Sequence, residues 1–207
     1  GNTTIDSQTN GAVVDLFGWS TASTTYGIST SDSDKNYSGD FVDWGKAIDD
    51  KGTWSTLSKD EWTYLFNTRK VNGGTKEGKS YQRATINSDA TSVYGMILYP
   101  DNYTSQTSAT SYTSIEWTTM EENGCVFLPA AGNRSNATVG GGGGGGGFWS
   151  STVSDKDMAY LALFKDVRSP FVSDDSRHLG YSVRLVTDVP NNNGTEQYKN
   201  NSNPNWF

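Results

Sequence analysis

The chain has 207 residues, a net charge of −7 and a pI near 4.6, a balance that argues against nucleic acid as a partner because phosphate neutralisation needs clustered Lys and Arg. Hydrophobic residues are 33% of it and mean hydropathy is −0.64; with no run of about 18 apolar residues, no membrane-spanning helix is encoded. Aromatic residues reach 13%, too many for a disordered chain, so a packed core is expected.

Along the chain, residues 13–19 form a short apolar cluster in polar surroundings, and residues 29–40 read as a loop. After Phe41-Val42-Asp43-Trp44 and Trp54-Ser55-Thr56-Leu57 comes the clearest helix start. Ser58 and Glu61 have capping-box spacing, and Leu57 and Trp62 are placed as a hydrophobic staple. Trp62, Leu65 and Phe66 then share one face, and residues 70–74 end the helix. Thr113 and Glu116 make a second box, opening a helix that Gly124 stops. Strands are expected at 94–99, at 125–128 before Pro129, and at 159–164 and 181–186, the last two as central strands of a late sheet. Ser and Thr make up roughly a quarter of the chain, which suits short strands joined by polar turns. Two short helices among many strands, segregated rather than alternating, give an α+β class.

Glycine fills positions 140–147 without interruption. A phosphate-binding loop would need a lysine and a following helix; neither is present, so the run reads as a plain flexible loop. Beyond it, alternation in Ala159-Tyr160-Leu161-Ala162-Leu163-Phe164 leaves both faces apolar. Either both faces are buried, or Leu161 and Leu163 meet solvent. Residues 165–179 mix charges with Pro170, Phe171 and Val172 without a pattern, as a recognition loop would.

Catalytic apparatus is sparse. Cys125, the one cysteine, lies in an apolar string and reads as a small buried hydrophobe. A single histidine, His178, removes most zinc chemistry and most nucleophile–base arrangements. Glu61 and Glu116 are explained as capping residues. Asp174-Asp175 has the composition of an acid–base pair or a calcium site, with exposed loop acids as the simpler reading. Sequons such as Asn102-Tyr103-Thr104 and Asn136-Ala137-Thr138 are expected by chance in a chain so rich in Asn and Thr. From residue 190 the chain turns Asn-rich, and residues 190–207 read as a tail.

Five strings carry a resemblance. They are Asp15-Leu16-Phe17-Gly18-Trp19; Trp54-Ser55-Thr56-Leu57-Ser58-Lys59-Asp60-Glu61-Trp62 with its continuation to Arg69; Val126-Phe127-Leu128-Pro129-Ala130-Ala131-Gly132-Asn133-Arg134; Phe148-Trp149-Ser150-Ser151-Thr152; and Gly180-Tyr181-Ser182-Val183-Arg184-Leu185-Val186. In order and spacing, over residues 11–189, the set resembles the Fibrobacter-type major paralogous domain of gut and fibre-degrading bacteria, a group similar to the C-type-lectin-fold variable proteins of diversity-generating retroelements. The resemblance implies an α+β C-type lectin fold over residues 1–189: a mixed, twisted β-sheet, two short helices and a long irregular ligand-facing loop region. It also implies strands ahead of the first string, one of them pairing with the closing strand. The chain opens almost at that string, which would leave residues 181–186 with an unpaired edge.

In such proteins the positions diversified by error-prone reverse transcription lie between the Trp-Ser-Ser-like and the Ser-Val-Arg-Leu-like strings, here residues 153–181. The implied ligand surface comprises Phe148, Val153, Asp155, Asp157, Leu161, Leu163, Lys165, Asp166, Val167, Arg168, Phe171, Val172, Asp174, Asp175 and His178. The implied function is recognition without catalysis, cofactor or metal, in an adhesin or receptor-binding domain of a longer cell-surface or phage tail-fibre protein. Its partner would be an extracellular protein or glycan, with no nucleic acid and no membrane insertion. The alternatives are a structural domain of a pilus or tail fibre, or an inactive relative of the formylglycine-generating enzymes, whose chemistry needs cysteine and metal beyond what Cys125 supplies.

Overall fold

The computed structural model describes residues 14–15, 19–20, 28–29, 41–48, 51–69, 71, 80–88, 90–105, 107–135, 138–155, 158–165 and 168–187. Short pairings come first. β1 (Val14–Asp15), β2 (Trp19–Ser20), β3 (Ile28–Ser29) and β4 (Phe41–Val42) form the antiparallel pairs β1–β3 and β2–β4. A 3-10 turn over Trp44–Ala47 follows, capped by Asp43. The Asp43 carboxylate accepts from Gly45 N at 2.7 Å and from Thr56 N at 3.0 Å, which stitches the turn to β5 (Trp54–Thr56).

Helix α1 (Lys59–Thr63) carries the capping box that its residues specify: Ser58 Oγ accepts from Glu61 N, and Glu61 Oε2 accepts from Ser58 N at 2.7 Å. The helix widens into a π-turn over Tyr64–Thr68, closed by Arg69 N donating to Tyr64 O. Leu65 O finds its donor in the buried Ser80 hydroxyl at 2.6 Å, so the widened turn leaves this carbonyl satisfied.

A four-stranded sheet comes next: β6 (Tyr81–Asn87), β7 (Ser92–Leu98), β8 (Ser111–Thr113) and, after α2 (Ser114–Glu122), β9 (Val126–Pro129). Its order is β8-β6-β7-β9, antiparallel except where β8 runs beside β6. β8 feeds straight into α2, whose Thr113–Glu116 capping box forms as expected and which stops at Gly124, φ +88°. Donation from the Thr113 backbone, and then from its hydroxyl, holds the Glu116 carboxyl below its ordinary range. A carboxylate depressed in the folded state supports the fold above its unfolded titration range and ceases to as pH falls through its folded value. The stability difference between wild type and Glu116→Gln is therefore expected to shrink as pH drops below about 4, which urea titrations at several pH values would read.

The hairpin β10 (Asn133–Ser135) and β11 (Thr138–Gly140) leads into an antiparallel meander of β12 (Gly145–Val153), β13 (Met158–Lys165) and β14 (Phe171–Ser176). Strand β15 (Leu185–Thr187) then returns to pair with β5. Cores alternate with sheets. Ile97 and Tyr99 turn to a core with α2's Met120, while their neighbours Met96 and Leu98 turn to a middle core with Trp62, Phe66, Phe148, Ala162 and Phe164. On the far side of the meander lies a third cluster, Trp149, Ala159 and Leu161. β7 and β13 each divide two cores, which is why both are apolar without polar alternation.

The fold is predominantly β, and this overturns the expected α+β C-type lectin architecture. Two physical reasons stand out. Residues 171–176, expected in an irregular loop, lock onto β13 in unbroken register as β14. The late strand expected at 181–186 survives only at its end, because Tyr181 and Ser182 dock on β12, with Trp149 N donating to Ser182 O at 2.9 Å and Ser182 N to Gly147 O at 3.1 Å. At its end this segment pairs through Leu185–Thr187 with β5 alone, in a two-stranded sheet. The glycine run also departs from a plain loop, since Gly145, Gly146 and Gly147 are strand residues of β12. Residues 30–40, most of the apolar cluster at 13–19 and the 190–207 tail lie outside the described residues.

Candidate functional site

The meander has two faces with different neighbours. Ala162 and Phe164 of β13 point to α1, beside Phe148 of β12; Phe148 stacks on Phe164 at 6.4 Å between centroids and lies 6.3 Å from Trp62. Ala159 and Leu161 point the other way, under Phe41, Trp44, Leu179, Tyr181 and Val183. Two of the expected ligand residues are therefore core residues: Phe148 is 3% exposed and Leu161 is 0% exposed. Leu161 sits in the middle strand, opposite Trp149 on one side and Ser173 on the other, and the side chains packed on the third cluster roof it. Burial of both faces is the outcome for this strand, in place of the outward Leu161. Val172 is half-buried and packs against the α1 core, and Leu163 is half-buried against the Trp149 cluster.

The other candidates fall toward opposite ends of the meander, with Phe171 and Asp174 about 10 Å apart along β14. At the β12–β13 hairpin end are Val153, Asp155, Asp174 and Asp175. Val153 is exposed; Asp155 is exposed too, but its Oδ1 accepts from Met158 N at 2.9 Å and so shapes the turn. Asp174 accepts from Ser154 Oγ at 2.8 Å, and Asp175 from Tyr181 Oη at 2.7 Å. As consecutive strand residues these two carboxylates project to opposite faces, which suits neither an acid–base pair nor a shared calcium ion. Among the described residues no three His, Cys, Asp or Glu side chains gather to hold a metal.

The other end is basic and aromatic. Phe171 is 40% exposed and stands opposite Leu163. Lys165 is exposed at the end of β13, and Arg168 is exposed in the following turn, its N–H donating to Lys165 O at 3.2 Å. Arg83, from β6, donates to the same carbonyl at 3.4 Å and adds a third cation. Nothing local in the sequence marks Arg83, since only tertiary contact between the sheets brings it here. Tyr181 was equally missing from the candidates: it lies edge-on to Trp149 at 5.0 Å, and burial, then its hydrogen bond to Asp175, pushes its phenol above the ordinary range. Its only sequence signal is its place in the Gly180-Tyr181-Ser182 string. His178 is half-buried in the turn after β14, while Asp157, Asp166 and Val167 lie outside the described residues.

Cys125 is wholly buried in the α2 core near Tyr99, Tyr103 and Tyr112, and burial pushes its thiol up to about 12. Little thiolate exists near neutral pH. A chromogenic disulfide reagent at pH 8 is expected to leave the folded protein unlabelled over minutes and to label it stoichiometrically in urea; fast labelling of the native protein would contradict the burial.

Comparison of the chain with protein-family models, with curated proteins and with solved structures finds no match.

Proposed function

We propose that the chain is a non-catalytic binding module whose ligand contacts the basic-aromatic end of the β12–β13–β14 meander. The supporting observation is Phe171, a large apolar side chain left partly in solvent on an outer strand, with Lys165 and Arg168 beside it in a chain of net charge −7. Aromatic and Arg side chains are the residue types that most often dominate binding energy, and a local cationic patch on an acidic protein discriminates among ligands. The ligand is an extracellular protein or glycan, and the module acts within a longer surface or virion protein.

The triple variant Lys165→Ser/Arg168→Ser/Phe171→Ser tests this, with wild type and variant applied to the same glycan and peptide arrays. The variant is expected to keep the wild-type circular dichroism and to bind the array ligand at least about 30-fold more weakly, the factor equivalent to about 2 kcal/mol. A ligand held equally by both proteins would place recognition elsewhere. The resemblance to diversified proteins adds an expectation for the gene. A near-copy of the segment coding residues 148–186 should lie beside a reverse transcriptase, differing at codons for exposed positions such as Phe171 and not at those for the buried Phe148 and Leu161.

A further inference from the structure

We infer that the outer edge of β14 is a strand-addition site for an extended peptide segment, basic where it meets Asp174 and Asp175 and apolar where it reaches Phe171 and the cations beside it, an inference that rests on the binding-module reading and names the ligand as protein. The two edges of the meander are treated differently. On the β12 side, Ser182 takes up backbone groups of Gly147 and Trp149. On the β14 side no described segment pairs with Phe171–Ser176; among the described residues the one backbone bond beyond β13 is from Leu179 N to Ser176 O at 3.0 Å, at the very end.

An edge of six residues left open among the described residues is a template for another strand, and proteins usually blunt such edges with charged side chains, Pro or a bulge. β14 has no Pro or bulge within it and its register on β13 is unbroken, with Pro170 just before it; charge is its one blunting device, and it is all of one sign. Its only charges are Asp174 and Asp175, one on each face, and neither has a cationic partner among the described residues. Both carboxylates are held in place beforehand, by Ser154 and by Tyr181.

The charges select the occupant. In an antiparallel pair of two copies, the acids of one β14 would face or flank those of the other, which is unfavourable. A strand with Lys or Arg at two consecutive positions would instead meet one carboxylate on each face, and an apolar residue farther along would reach Phe171.

The probe is the capped hexapeptide Thr-Lys-Lys-Thr-Val-Val, titrated against the whole chain by NMR. Its two lysines fall opposite Asp175 and Asp174, and its last valine opposite Phe171. Three comparators accompany it: a peptide with Glu for both Lys, and two versions N-methylated at alternate residues of one parity or the other. Strand addition predicts shifts and slowed amide exchange confined to residues 171–176, loss of binding for one methylation parity only, and binding about 10-fold weaker for the Glu peptide and for Asp174→Asn/Asp175→Asn. Equal binding by both methylated peptides, or no change at β14, overturns it. An array ligand that the Lys165/Arg168/Phe171 variant loses, together with a peptide that leaves β14 untouched, would keep the binding surface and remove the strand-addition inference. Strand addition by the peptide alongside an array ligand indifferent to that variant would do the reverse.

Discussion

Replacing Leu161 by Ala is expected to cost about 2–5 kcal/mol of folding free energy, whereas Phe171→Ser, one strand away, should cost about 1 kcal/mol or less. Both residues are large hydrophobes in the segment that the resemblance marks as a recognition surface. Leu161 is 0% exposed, and truncating it opens a cavity between Trp149, Ala159 and the side chains of Tyr181 and Leu179 that cover them. Phe171 is 40% exposed at the start of an outer strand, so its removal exposes little that was dry. Urea denaturation followed by tryptophan fluorescence separates the two outcomes, because Trp149 reports on the same cluster. Equal costs for the two variants would mean that the Trp149 cluster is not the core it is described as. A costly Phe171→Ser would also undermine the binding reading, since a side chain needed for folding is not free to serve recognition.

What could be read in advance divides along the reach of the signal. The two helix starts were legible because a capping box is closed within four residues: Ser58 with Glu61, and Thr113 with Glu116, need nothing from the rest of the chain. The doubly apolar string at 159–164 also carried its outcome, burial of both faces, yet composition alone left open whether Leu161 was core or surface. That choice was made by partners far away, Phe41 and Trp44 on one side and Tyr181 and Val183 on the other. β14 was unreadable for the same reason. Phe171-Val172-Ser173-Asp174-Asp175-Ser176 has no strand alternation of its own and becomes a strand because β13 offers six consecutive residues to pair with. Lys165, Arg168 and Phe171 of the basic-aromatic end were legible as neighbours in one segment, but Arg83 was not, since it joins Lys165 across 82 positions. Local chemistry specifies local structure; sheet neighbours and a composite surface are set by tertiary packing.

Gly146→Ala should destabilise the protein by about 3 kcal/mol, while Gly140→Ala, six residues earlier in the same uninterrupted run, should change stability by under about 0.5 kcal/mol or raise it slightly. A Cβ on Gly146 would stand 2.6 Å from Phe164 Cζ and 2.8 Å from Pro129 O. Phe164 is 1% exposed and stacked on Phe148, so its ring has nowhere to retreat, and the Pro129 oxygen is backbone. A Cβ on Gly140 meets nothing within 4 Å, and its backbone is not in the left-handed region, so alanine there only restricts the unfolded chain. Gly147→Ala adds a functional consequence. Its Cβ would overlap the Tyr181 ring, and moving that ring draws the phenol away from Asp175 at the edge where strand addition is inferred. Thermal melts of the three variants decide the matter. Uniform tolerance would return the run to a featureless linker. A graded response, silent at Gly140 and severe at Gly146, would mean that eight identical residues hold different structural roles, each assigned by a neighbour that the run itself does not reveal.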